Sequence, residues 1–163
     1  MAVARLSPQD AEAFRSLRLE ALRQAPLAFG STLAEEASRP LSWFGDTLES
    51  SAVFAASGAE GRLLGMLGYR AESLRKRQHI GQLWGLYVRP EARGLGIGAG
   101  LLDACISHAR ARVSVLQLLA GAANPDAIRL YERAGFTLLG TEPASLRVDG
   151  VDAATLIMML RLD

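Results

Sequence analysis

The densest chemistry in the chain lies in the run Arg93-Gly94-Leu95-Gly96-Ile97-Gly98-Ala99. Glycines at alternate positions let a main chain approach a bulky anion without Cβ clashes. Arg93 adds a cation that forks onto phosphate oxygens. An apolar segment, 80–88, precedes the run, and a helix-periodic segment, 101–112, follows it. The run therefore reads as a strand-to-helix turn. A helix N-terminus presents N–H groups with no intrahelical acceptor and a partial positive charge, which suits a diphosphate.

Other readings of the glycines compete on the residues alone. One is a tight turn built only for close packing. Another is a dinucleotide-binding turn, because Gly94, Gly96 and Ala99 fit G-x-G-x-x-A. That turn should follow its strand directly and place an acid on the next strand. Here Pro90 and Glu91 intervene, and residues 115–120 contain no acid. A nucleoside-triphosphate loop would need Gly-Lys-Ser/Thr after the glycines, and that is absent.

Few other side chains offer chemistry. Cys105 is the single cysteine, and its neighbours Leu101, Leu102 and Ile106 suggest a buried thiol rather than a nucleophile. The two histidines, His79 and His108, have no metal-ligand spacing, and no metal is expected. The basic triplet Arg75-Lys76-Arg77 reads as a solvated turn or a phosphate contact.

The elements that must position these residues follow from patterning. Residues 2–6 read as a strand, and Ser7-Pro8 opens a helix that ends before Pro26. A second helical segment carries Glu35 and Glu36 early and Trp43, Phe44 and Leu48 later, with Pro40 breaking or restarting it. Residues 52–56 and 62–70 pair as a hairpin, and residues 80–88 form the next strand. Gly85 inside that strand signals a bulge or a close backbone approach. Residues 113–120 form a mostly apolar central strand. Asn124-Pro125-Asp126 caps another helix, which Gly135 stops. Residues 136–140 and 153–162 are the closing strands. Hairpins on one side and a crossover on the other predict an α/β (α+β) fold with a mixed, mostly antiparallel sheet flanked by helices.

Composition narrows the function classes. The chain has 163 residues, which fits one domain over 1–163. A formal net charge of +1 gives no bulk case for nucleic acid or a membrane surface as partner. No apolar run reaches the ~20 residues of a membrane span, and no signal peptide is evident, so the cytoplasm is the expected location.

The segment Val88-x-Pro90-x-x-Arg93-Gly94-x-Gly96-Ile97-Gly98 resembles motif A of the GCN5-related N-acetyltransferase (GNAT) family, [RQ]-x-x-G-x-[GA]. Asn124 to Phe136 resembles its motif B, N-x-x-A-x-x-L-Y-x-x-x-G-F. The interval between them fits one helix and one strand, and residues 28–36 resemble the A-F-G-S-T-x-x-E-E segment of some members.

The resemblance implies a sheet whose two central strands splay apart to admit a cofactor arm, with acetyl-CoA as co-substrate. Main-chain groups of Arg93, Gly94, Leu95, Gly96, Ile97, Gly98 and Ala99 would hold the diphosphate. The strand segment Leu86, Tyr87 and Val88 would bind the pantetheine arm, and Asn124 would contact the cofactor. Tyr131 would lie near the sulfur as the catalytic acid, or else be an aromatic packed beside Phe136. Asn124 and Tyr131 are about two turns apart and share a helix face. The acceptor would be a primary amine of a small molecule or peptide, attacking directly in a ternary complex. Phe29, Glu35 and Glu36 are candidates for its pocket, against core packing for Phe29 and helix-start stabilisation for the two acids. Many relatives place a base Glu on the strand before the glycines; residues 80–88 contain none. His79 or ordered water are substitutes. The missing carboxylate leaves a second class open, a non-catalytic acyl-CoA-binding or sensing protein. The family also admits a homodimer.

Overall fold

The computed structural model describes residues 1–163. Seven strands form one sheet: β1 (Ala2–Arg5), β2 (Ala52–Ser57), β3 (Leu63–Ala71), β4 (Ile80–Val88), β5 (Val115–Gly121), β6 (Thr137–Val148) and β7 (Val151–Arg161). Their spatial order is β1-β2-β3-β4-β5-β7-β6. Only β4 and β5 run parallel; every other pair is antiparallel. The helices are α1 (Ala11–Gln24), α2 (Leu33–Ala37), α3 (Leu41–Ser50), α4 (Ile97–Arg110) and α5 (Pro125–Arg133). This is the mixed sheet and the element order expected from the sequence.

Strand alternation sends side chains to two cores. Leu67 and Tyr69 of β3 join a cluster with Leu101, Leu102 and Cys105 of α4, while Met66 and, beyond a register shift opposite Ala56 and Ser57, Leu63 join Phe14, Leu17 and Phe44 under α1 and α3. The sheet lies between the two clusters, so any opening in it connects the α4 side with the α1 side.

Two boundaries differ from expectation, while the break expected at Pro40 is present. Helix α4 begins at Ile97, not 101, so Gly98 and Gly100 lie inside it. The missing side chain of Gly98 admits a neighbour: a Cβ there would sit 3.0 Å from Leu130 of α5. Pro40 takes the N-cap position of α3, which separates α2 from α3. Strand β6 extends to Val148 instead of stopping near 140. It turns through Asp149 and Gly150, both at positive φ (51° and 77°), as a tight hairpin turn requires.

Candidate active site

Strands β4 and β5 pair only at their beginnings, Ile80 with Val115, Gly81 with Leu116 and Gln82 with Gln117. The amide nitrogen Nε2 of Gln82 donates to Oε1 of Gln117 (3.1 Å) across the last rung and also reaches Glu72 (3.0 Å). Beyond that rung the strands part. The cause lies at Gly85, whose φ is +72°. Against β3, Met66 faces Tyr87 and Gly68 faces Trp84, so Gly85 and Leu86 together oppose Leu67. This two-against-one bulge bends and twists the strand away from its parallel neighbour. Gly68 assists, because a Cβ there would lie 2.2 Å from the Trp84 ring. On the other side of the gap Leu119 is 63% exposed, although β5 is a central strand.

A cavity of about 970 Å³ occupies the gap and passes through the sheet. Leu83 to Val88 line one wall, and Leu119, Ala120 and Gly121 line the other. One end lies among Arg93, Gly94, Gly96 and the first turn of α4, and Asn124 and Tyr131 of α5 also line the space. The opposite end reaches Gln24, Ala25 and Ala28 at the end of α1 and the turn after it. These last residues and the β5 wall were not singled out in the sequence. A leucine inside an apolar strand carries no mark of exposure until its neighbour departs.

The glycine turn has the shape a diphosphate needs. Gly94 (φ +78°) and Gly96 (φ +79°) adopt the left-handed conformation, and a Cβ on either would meet no protein atom within 4 Å. Space rather than packing therefore surrounds them. No side chain caps α4, so its first-turn N–H groups remain free for an anion. Arg93 lies at the cavity wall, and its Nε donates to the Val88 carbonyl (3.0 Å). Ile97, Gly98 and Ala99 line the cavity from inside the helix, whereas Leu95 is 67% exposed and does not line it. Leu86 and Val88 pack toward the α4 core. Tyr87 turns to the opposite face, where its hydroxyl donates to Glu20 (3.1 Å).

Helix α5 is fixed as its sequence requires. Asn124 Oδ1 accepts from the Ala127 N–H (3.2 Å), Pro125 starts the helix and Gly135 (φ +99°) ends it. Capping uses the oxygen of Asn124 and leaves its amide NH₂ for the cavity. Tyr131 is buried, with its ring edge-on to Phe136 at 5.9 Å. Burial raises the phenol well above its ordinary pKa, and the nearby Cys105 adds to the shift. The group stays protonated at neutral pH, so it can serve as an acid but not as a base. Cys105 is itself fully buried, donates to the Leu67 carbonyl (3.7 Å) and is pushed up to about 12 by burial, which makes it an inert thiol.

The residues considered for the acceptor side have other partners. Glu35 and Thr32 form a reciprocal cap of α2: Glu35 Oε2 accepts the Thr32 N–H (2.7 Å) and Thr32 Oγ1 accepts the Glu35 N–H (3.1 Å). The Thr32 bonds hold the Glu35 carboxyl below its ordinary pKa. Glu36 is buried and bound two-pronged by Arg18 (2.8 and 2.7 Å). Phe29 is buried with the Arg18 guanidinium 4.8 Å from its ring centre. None of the three lines the cavity, although Ala28 does. His79 is exposed at the far end of β4, and only its carbonyl is engaged, by Ser114 and Val115. No group of three or more His, Cys, Asp or Glu side chains could hold a metal ion. No helix is long and apolar enough to cross a membrane.

Comparison with known proteins agrees with this geometry. A mycothiol acetyltransferase of Propionibacterium freudenreichii is 30% identical over 153 residues, covering 83% of this chain but 47% of that protein. The chain thus spans about half the length of that relative. An acetyltransferase of the GNAT family from Streptococcus pneumoniae shares the fold at a TM-score of 0.85, with 19% identity over 98% of both chains. A phosphinothricin acetyltransferase from Sinorhizobium meliloti, solved in complex with AcCoA, superposes at 0.81 with 22% identity over 98% of this chain and 87% of that one. Residues 14–136, from α1 through the end of α5, match the acetyltransferase (GNAT) family. With the glycine turn, the split between β4 and β5 and the capped helix α5 all inside that span, the chain belongs to the GNAT acetyltransferase family.

Proposed function

We propose that the protein is a cytoplasmic N-acetyltransferase that uses acetyl-CoA to acetylate a primary amine of a small molecule or peptide, by direct attack in a ternary complex. One observation carries this reading: a single cavity runs from an uncapped, glycine-lined helix start, through a gap in the sheet, past Tyr131, to an opening beside α1. The cofactor's contribution is an activated acyl group. Main-chain N–H groups from Gly96 to Ala99 bind its diphosphate, and the unpaired edge of β4 from Leu83 to Val88 aligns the arm. The amide NH₂ of Asn124 is a further donor to it. Alignment of two reactants in one channel contributes through proximity and orientation. Tyr131, kept protonated by burial, holds a proton for the departing sulfur. The amine enters between Trp84 and the Gln24–Ala28 end of the cavity. It must arrive neutral or lose its proton to water, because no carboxylate or imidazole lines that end.

The same absence favours a second reading, a protein that binds acyl-CoA and transfers nothing. Incubating the chain with acetyl-CoA and a panel of amines, amino acids and peptides, while following free thiol, separates the two. Cys105 will not contribute to the signal because it is buried. Turnover with any amine supports the enzyme. Tight CoA binding with no turnover across the panel supports the sensor.

A further inference from the structure

A second pocket lies at the other end of α4 from the glycine turn. It has a volume of about 320 Å³ and is lined by residues of β1, the end of α3, β2, β3, the C-terminal end of α4 and the turn after it. Arg5 (β1), Arg70 (β3) and Arg112 (just past α4) converge on it together with His108 and Tyr69, and its lining contains no carboxylate. None of the three arginines forms an ion pair, although seven other arginines do. The carboxylate that feels Arg70, Glu72, is already held by Gln82 and Arg77. Arg112 is anchored by its Nη1 to the His108 carbonyl (2.7 Å), which fixes the base of the guanidinium at the pocket.

The floor of the pocket is polar and unfinished. Tyr69 is 4% exposed, and its hydroxyl is buried without any hydrogen-bond partner. A buried polar group without a partner is costly and calls for an explanation such as a ligand. The half-buried His108 ring lies edge-on to both Phe54 (5.6 Å) and Tyr69 (5.1 Å). Its imidazole is held below the ordinary histidine pKa by burial first, then by Arg112 and Arg5. The groups around it are therefore cationic from the turn after its own helix and from β1, phenolic and cationic from β3, and aromatic from β2. Nothing supplies the negative charge that this arrangement lacks.

We propose that this pocket is a binding site for a tetrahedral oxyanion, a phosphate or sulfate group, gripped by Arg5, Arg70 and Arg112 with Tyr69 donating from below. Planar guanidinium groups match such oxygens with paired hydrogen bonds. The site is separate from the cofactor turn. The 14 residues of α4 put about 20 Å of helix between them.

The test uses the full chain saturated with CoA, so that the glycine turn is occupied. Inorganic phosphate, sulfate and glycerol 3-phosphate are titrated against chloride of matched ionic strength. The readout is the imidazole NMR signal of His108, assigned with a His79→Gln variant because the chain has only two histidines. The expected result is a saturable His108 shift with at least one oxyanion and not with chloride, together with a rise in the imidazole pKa. Phosphate against glycerol 3-phosphate tells a free ion from an esterified one. Arg5→Ala and Arg112→Ala should each weaken the binding at least fivefold, Tyr69→Phe about threefold, and Arg62→Ala, far along the sheet, not at all. A response that does not saturate, that chloride reproduces, or that survives both arginine substitutions overturns the proposal.

Discussion

Replacing Gly96 by alanine isolates the anion-binding function of the glycine turn from its folding function. Gly96 has a φ of +79°, and a Cβ there meets no protein atom within 4 Å. The folded protein therefore loses only the strain of a left-handed alanine, about 1–2 kcal/mol. For a chain of this size that lowers Tm by roughly 2–8 °C. Gly150 in the β6–β7 turn is a matched control, with a φ of +77° and equally empty surroundings. Gly150→Ala should cost the same stability.

The two variants should part when CoA is added. The new methyl at position 96 projects into the space where the diphosphate is held, and displaces at least one main-chain hydrogen bond to a charged oxygen. Such a bond contributes about 1.5–3 kcal/mol, so Kd for CoA should rise roughly 10- to 100-fold. Gly150→Ala should leave Kd within twofold. Calorimetric titration with CoA measures both. Acetyl-pantetheine, which has no diphosphate, serves as a second control, and its KM should be the same in wild type and Gly96→Ala. Unchanged CoA affinity in Gly96→Ala refutes the assignment of the diphosphate to this turn. An equal loss with acetyl-pantetheine would mean that the substitution distorts α4 rather than blocking an anion.

Other substitutions test the remaining parts of the site. Tyr131→Phe should lower kcat tenfold or more with CoA affinity unchanged within twofold; an unaltered kcat under single-turnover conditions removes the acid role. Cys105 has an ordinary pKa of 9.0 and a folded value of about 12. Its contribution to stability is complete below pH 9 and is lost as pH rises from 9 to 12, because the unfolded thiol ionises first. Urea midpoints should thus fall less steeply over that window in Cys105→Ala than in wild type; parallel slopes would contradict the burial argument. Glu36→Gln should cost about 3–5 kcal/mol, because it leaves the Arg18 charge buried and unpaired. Thermal unfolding should show a Tm loss of at least roughly 6 °C, and a loss under about 1 kcal/mol would show that the pair is dispensable.

The glycine turn, the bulge and the α5 cap were legible in the sequence because main-chain geometry writes itself into residue type. Gly94 and Gly96 are glycines because φ is positive, Gly85 because a strand must bulge, and Asn124-Pro125 because a helix must start there. The acceptor side was not. Gln24, Ala25 and Ala28 line the cavity through their position at the end of α1, and nothing in their chemistry marks them. The long β6 was missed for a similar reason. Most of its residues are exposed, so it lacks a clear apolar alternation, and only Asp149-Gly150 betrays the hairpin. The arginine pocket brings Arg5, Arg70 and Arg112 together from distant points of the chain, where no spacing rule connects them.

The acidic residues Glu35 and Glu36, read from the sequence as either pocket carboxylates or supports of a helix start, lie away from the cavity. Thr32 and Glu35 fix the start of α2, and α2 presents Glu36 to Arg18. Arg18 lies beneath Phe29 and Trp84, with its Nη1 3.1 Å from where a Cβ on Gly85 would stand. That Nη1 is buried and has no partner. Gly85 is thus glycine for two reasons, its positive φ and the guanidinium behind it. The chain of contacts runs from the cap of α2 through Glu36 and Arg18 to the bulge that parts β4 from β5. A carboxylate remote from the cavity can therefore govern how wide the sheet opens. On this reasoning Glu36→Gln should raise KM for acetyl-CoA as well as lower Tm, whereas Glu35→Gln, which loosens only an exposed cap, should leave KM unchanged. A Glu36→Gln protein that still folds at assay temperature and keeps the wild-type KM would disconnect the ion pair from the bulge.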